Sequence, residues 1–112
     1  MARILLVDDD VEGLELRRII LEHHGHRIET ASTPADAYAR FSSLSPECVI
    51  ADLHIPEAAA GRALLAEFRK AAPSVRIIVL SGLPAIVEPL ADVVLLKPVR
   101  SERLIAAISP SF

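Results

Sequence analysis

Short apolar runs recur along the chain, each followed by a stretch in which apolar positions return every three or four residues. Residues 3–7, RILLV, read as a buried strand. From 10 to 24 the pattern turns helical, with Glu12, Glu15, Arg18 and Glu22 on a wet face and Leu16, Ile19 and Ile20 on a dry one. Gly25 is placed to end that helix. A short strand, RIETA, follows at 27–31. Thr33-Pro34-Ala35-Asp36 then starts a helix, with a cap, a proline at the first position and an acid three beyond the cap. Ala37, Phe41 and Leu44 share one face of it. ECVIAD, 47–52, predicts a third strand, and Gly61, Leu64, Leu65, Phe68 and Ala72 carry a third helix. VRIIVL at 75–80 and DVVLL at 92–96 are two more strands, separated by the proline-bracketed piece LPAIVEP, 83–89. A last helix over 101–108 turns Leu104, Ile105 and Ile108 inward. Five strands alternating with five helical segments imply an α/β fold, a parallel sheet covered on both faces.

Composition fits that architecture. The 112 residues suit one domain, expected to span 1–112, and 52 % of them are apolar. Aromatics make up only 4 %, so the core must be aliphatic. A net charge of −3 leaves no basic footprint for nucleic acid, and no direct contact with it is expected. The single cysteine, Cys48, rules out an internal disulfide framework and reads as a small core residue. No apolar run is long enough for a membrane span and no signal peptide precedes the first strand, so a cytoplasmic domain is expected. His23, His24 and His26 crowd together in sequence but surround a helix end, where solvated side chains are the expectation.

In sheets of this kind ligands bind beyond the carboxyl ends of the strands. The first strand ends in Asp8, Asp9 and Asp10, the third in Asp52, the fourth in Ser81-Gly82 and the fifth in Lys97-Pro98. The chain's polar candidates for chemistry thus fall at one edge. Adjacent acids need a reason, since two like charges ~4 Å apart repel by roughly 4 kcal/mol at an effective dielectric of ~20. Asp10 is well placed to cap the following helix.

Taken in order, LLVDDD, IADLHIP, IIVLSG and LLKPV resemble the receiver domain of two-component response regulators, over essentially the whole chain. The resemblance implies a flavodoxin-like (βα)5 sandwich with strand order 2-1-3-4-5. It makes Asp52 the phosphoacceptor, a carboxylate that attacks phosphorus. It gives Mg²⁺ as cofactor, held by Asp8, Asp9, Asp52 and the backbone carbonyl of His54, with Asp8 acting mainly through water. Lys97 would pair with Asp52 at rest and grip the phosphoryl group afterwards. Ser81 would bond a phosphoryl oxygen and report the event. The proline after Lys97 is expected to fix the turn that points the lysine inward, through a cis bond. His54 and Leu83, two residues beyond Asp52 and Ser81, flank the path of attacking water. The apolar Leu83 predicts slow self-dephosphorylation.

Three departures from the family pattern stand out. The position three before the lysine, usually an aromatic switch residue, is Val94. Valine can fill the gap but has no ring to swing. The segment from Ser81 to Lys97 is short, which predicts a shortened fourth helix over 83–89, a single turn or an irregular loop. PEAAAG replaces the usual acid–glycine near the third helix with Ala60-Gly61 and one extra residue, which predicts a shifted loop.

Each feature alone has a plain structural reading: caps for the acids, a turn after Asp52, a strand exit at Ser81, a solvated lysine at 97. Together they point to a signalling relay that takes a phosphoryl group from a histidine kinase or histidine phosphotransfer protein and docks to a downstream protein. It would catalyse only its own phosphorylation and dephosphorylation, as a single-domain regulator or a piece of a larger one. No output region is visible after residue 108. Two alternatives stand beside this. A receiver fold working as a phosphorylation-independent interaction module is favoured by Val94 and the short 83–89 segment. A haloacid-dehalogenase-like phosphatase is suggested by Asp8-x-Asp10, Ser81 and Lys97, but acids are missing after the lysine and Asp52 would be idle in it.

Overall fold

The computed structural model describes residues 2–52, 58–82 and 88–108. Its elements are β1 (Arg3–Val7), α1 (Val11–His23), β2 (Arg27–Ala31), α2 (Pro34–Leu44), β3 (Cys48–Asp52), α3 (Ala58–Ala71), β4 (Arg76–Ser81), β5 (Val93–Leu96) and α4 (Ser101–Ile108). All strand pairs are parallel and the order is β2-β1-β3-β4-β5. This is the flavodoxin-like order, with its switch point between β1 and β3.

Strand alternation divides the core into two. Leu5, Val7, Val49, Ala51, Ile77 and Val79 face α2 and α3, while Ile4, Leu6, Ile50, Ile78 and Leu80 face α1 and α4. Every one of these is buried, as strands covered on both faces require. Among the described residues the scarce aromatics gather on the first side. Phe41 and Phe68 stack at 4.2 Å between ring centroids, and Tyr38 meets the Phe68 ring edge-on at 6.0 Å. Cys48 is a buried residue of the second side, as its place in a strand predicted.

Helix boundaries follow local chemistry. Asp10 caps α1, its Oδ1 accepting from the Gly13 N–H at 3.2 Å. Gly25 takes φ +88° just past the end, a conformation that other residues adopt only at a cost. Thr33 caps α2 by accepting from the Asp36 N–H at 3.1 Å, with Pro34 at the first position. α3 begins at Ala58, before the Gly61 from which its apolar pattern was read.

The inner face of α1 differs from the one its apolar pattern predicts. In α1 the buried residues are Leu14 and Leu21, whereas Leu16 and Ile19 are 61 % and 53 % exposed. The helix is apolar on most sides, so periodicity alone could not choose its inner face. The face that turns in packs Leu14 and Leu21 into the second side of the core, and Arg17, between them, bonds Asp8 there.

The return from β4 to β5 contains no helix among its described residues; Pro89 and Leu90 form a turn and Asp92 a bend. The piece expected as a shortened fourth helix falls mostly on 83–87, outside the described residues, as do the loop 53–57, His54 and Leu83. The described part is fastened to α3 by two arginines. Arg62 Nε donates to Glu88 Oε2 at 2.8 Å, and that carboxylate is only 2 % exposed. Arg69 donates to the carbonyls of Pro73, Val75 and Leu90 and to Asp92 Oδ2 at 3.0 Å. Asp92 also accepts from the Ile77 N–H at 2.7 Å, so β4 and the start of β5 share one carboxylate.

Candidate functional site

Register assembles the site. Val7 lies opposite Ala51, which sets Asp8 and Asp52 side by side at neighbouring strand ends. Ser81 lies opposite Leu96, which puts Lys97 one step beyond. The Lys97 N–H donates to the Ser81 carbonyl at 2.8 Å, and the Lys97-Pro98 bond is cis, as the motif predicted. The lysine side chain crosses to the centre of the sheet. Its Nζ donates to Asp52 Oδ2 at 2.9 Å and lies 3.7 Å from Asp8 Oδ2.

Asp8 is buried, at 2 % exposure, and fully engaged. Its Oδ1 accepts from the Asp10 N–H at 3.0 Å, and its Oδ2 from Arg17 Nη2 at 2.8 Å. Two cations therefore face one carboxylate oxygen. Burial pushes the Lys97 ammonium toward release of its proton. The hydrogen bond it donates to Asp52 and the charges of Asp8 and Asp52 outweigh that, against opposition from Arg17, and hold Lys97 above the usual lysine range. Ser81 is fully buried at the end of β4. Val94 is partly buried, against the α2–α3 side of the core.

One carboxylate oxygen each from Asp8, Asp9 and Asp52 lie within 4.8 Å of one another. That is a compact set of hard oxygen donors, with Asp9 exposed on the solvent side, and it fits a small dication that retains waters. Among the described residues no other group of acids, histidines or cysteines could share an ion, so His23, His24 and His26 are not brought together as a metal set. His23 and His24 are exposed, and His26 Nδ1 instead accepts from the Ala2 N–H.

Two residues here escaped the sequence pattern: Arg17 and Gly13. A Cβ at Gly13 would lie 2.7 Å from Asp10 Oδ2 and 3.3 Å from Arg17 Nη1. The glycine thus leaves room for the arginine to lean back over the first turn toward Asp8, in the direction helical side chains point. The available signal was a glycine inside a first turn, where it costs about 1 kcal/mol relative to alanine, with an arginine one turn later.

Comparisons with known proteins agree with this geometry. A response regulator receiver domain from Clostridium thermocellum superposes with a TM-score of 0.86 at 29 % identity, covering 96 % of this chain and 91 % of that one. The response regulator TrrA from Thermotoga maritima, solved in complex with Mg²⁺-BeF, gives 0.84 at 28 % identity, covering 96 % of each chain. NtrX from Brucella abortus gives 0.84 at 32 % identity, covering 93 % of this chain but only 25 % of its own. No curated protein matches. The family model for the response regulator receiver domain matches residues 4–109, and the chain belongs to that family.

Proposed function

We propose that this receiver domain is a phosphoacceptor that takes a phosphoryl group onto Asp52 from a histidine kinase or histidine phosphotransfer protein. The observation that carries the reading is the Lys97 Nζ to Asp52 Oδ2 contact, beside an oxygen set suited to one dication. An Asp52 oxygen attacks phosphorus, the phosphorus–nitrogen bond to the donor imidazole breaks, and that nitrogen keeps the electron pair. Mg²⁺, when bound by Asp8, Asp9 and Asp52, neutralises charge on the transferring group. Lys97 gives up its pairing with Asp52 and follows the new negative charge on the phosphoryl oxygens. Ser81, at the next strand end, is the nearby hydroxyl that can donate to them. By the family resemblance, the backbone carbonyl of His54 would complete the donor set and Leu83 would screen the phosphoryl group from water. Replacing Leu83 with a small polar residue should shorten the phosphoryl lifetime.

The complex of TrrA with Mg²⁺-BeF supports a site of this class. The chain is then a single receiver domain over 1–112 that acts by docking to a partner protein in the cytoplasm. Among the described residues no helix is long and apolar enough to cross a membrane. The phosphatase alternative requires Asp8 as nucleophile, but Asp8 is enclosed by Arg17 and the Asp10 N–H, and the lysine pairs with Asp52. Two observations favour an interaction module as the second reading: Val94 at the switch position, and a β4–β5 return fastened to α3.

Beryllium fluoride with Mg²⁺, followed by amide chemical shifts, tests the main reading. Large shifts around Asp52, Ser81 and Lys97 that need both ligands are expected. An unperturbed spectrum would favour the module.

A further inference from the structure

Asp8 Oδ2 has a donor that the phosphoacceptor reading does not use. Arg17 Nη2 holds it at 2.8 Å, and the guanidinium reaches it from the second turn of α1 across Gly13. Asp8 is one of the three residues whose oxygens would share a dication. A guanidinium at that oxygen and a dication compete electrostatically, because each places positive charge a few ångströms from the other. Asp8 has little freedom to avoid this, since it is buried and its other oxygen is committed to the Asp10 N–H. Arg17 does have somewhere to go. It lines a cleft of about 240 Å³ between α1 and the start of α4, with Leu16, Ile20, Leu80, Lys97 and Pro98 around it.

We propose that Arg17 is a built-in competitor for the metal site, a positioning residue that occupies Asp8 at rest and must leave it, or share it, when Mg²⁺ binds. The inference rests on the Mg²⁺ site of the proposed function and deepens it. Arg17 keeps the buried acid compensated without metal and lowers the affinity for metal in exchange. Gly13 is part of the same device, since a side chain there would crowd the arginine's route to Asp8.

The test is Mg²⁺ alone titrated into the whole chain without any phosphodonor, following amide shifts near Asp9 and Asp52. Wild type is compared with R17L and, should leucine upset folding, R17Q, each first checked by circular dichroism. Removing one nearby positive charge should tighten Mg²⁺ binding about tenfold. R17K, which keeps the charge on a different reach, should fall between wild type and R17L. Equal affinities in wild type, R17L and R17Q would overturn the role of Arg17 while leaving the metal site standing. If neither wild type nor the variants bind Mg²⁺, the metal reading fails and this inference with it.

Discussion

Lys97, from the turn after β5, and Asp52, from the end of β3, meet at 2.9 Å across the top of β4. Neither residue is near the other in sequence. The sheet order brings them together. The pair sits between a buried Asp8 and a buried Ser81, so a change of charge at Asp52 is felt first by Lys97.

Lys97 should stabilise the fold in a pH-dependent way. Burial lowers its proton affinity, but Asp52 and Asp8 raise it further, so the folded value lies above 10.5. A raised value gives a contribution that is full below 10.5 and fades as pH rises through the folded value. K97M should therefore be less stable than wild type at pH 8, by under about 1 kcal/mol because the lysine is partly solvated. Urea unfolding of both proteins should show the gap closing above pH 10.5.

Asp92 should behave in the opposite sense. Burial raises its carboxyl, but the Ile77 N–H and Arg69 outweigh this and hold it below 3.8. Its contribution is present above 3.8 and is lost as pH falls through the folded value. D92N should be destabilised at neutral pH, by about 1 kcal/mol or less because the carboxylate that Ile77 and Arg69 bond is partly solvated. Acid titration of both proteins should bring their stabilities together below pH 3.8.

Cys48 should be inert in the native protein. Burial pushes its thiol up to about 12, so almost no thiolate exists at neutral pH. A disulfide reagent at pH 8 should modify it only after unfolding, and immediate reaction with the folded chain would contradict its place in the core.

Much of this was legible because strands and helices carry different periods. The parity of Ile4 to Val7 and of Ile77 to Leu80 fixes two core faces, and the Asp10 and Thr33 caps mark helix starts. The site was legible because its residues are strand-terminal, and strand ends in a parallel sheet share one edge. The inner face of α1 was not. Leu14, Leu16, Ile19, Ile20 and Leu21 surround the helix, and only packing in the fold, which buries Leu14 and Leu21, shows which side turns in. The fastening of the β4–β5 return by Arg62 and Arg69 was equally hidden, because it joins charges 26 and 23 residues apart.

The most direct test of the central claim is intact mass after incubation with acetyl phosphate and Mg²⁺, beside D52N and a magnesium-free control. The account predicts a single phosphoryl adduct on the wild-type chain that needs both Asp52 and Mg²⁺. No adduct on the wild-type chain, or one that persists in D52N, would contradict it.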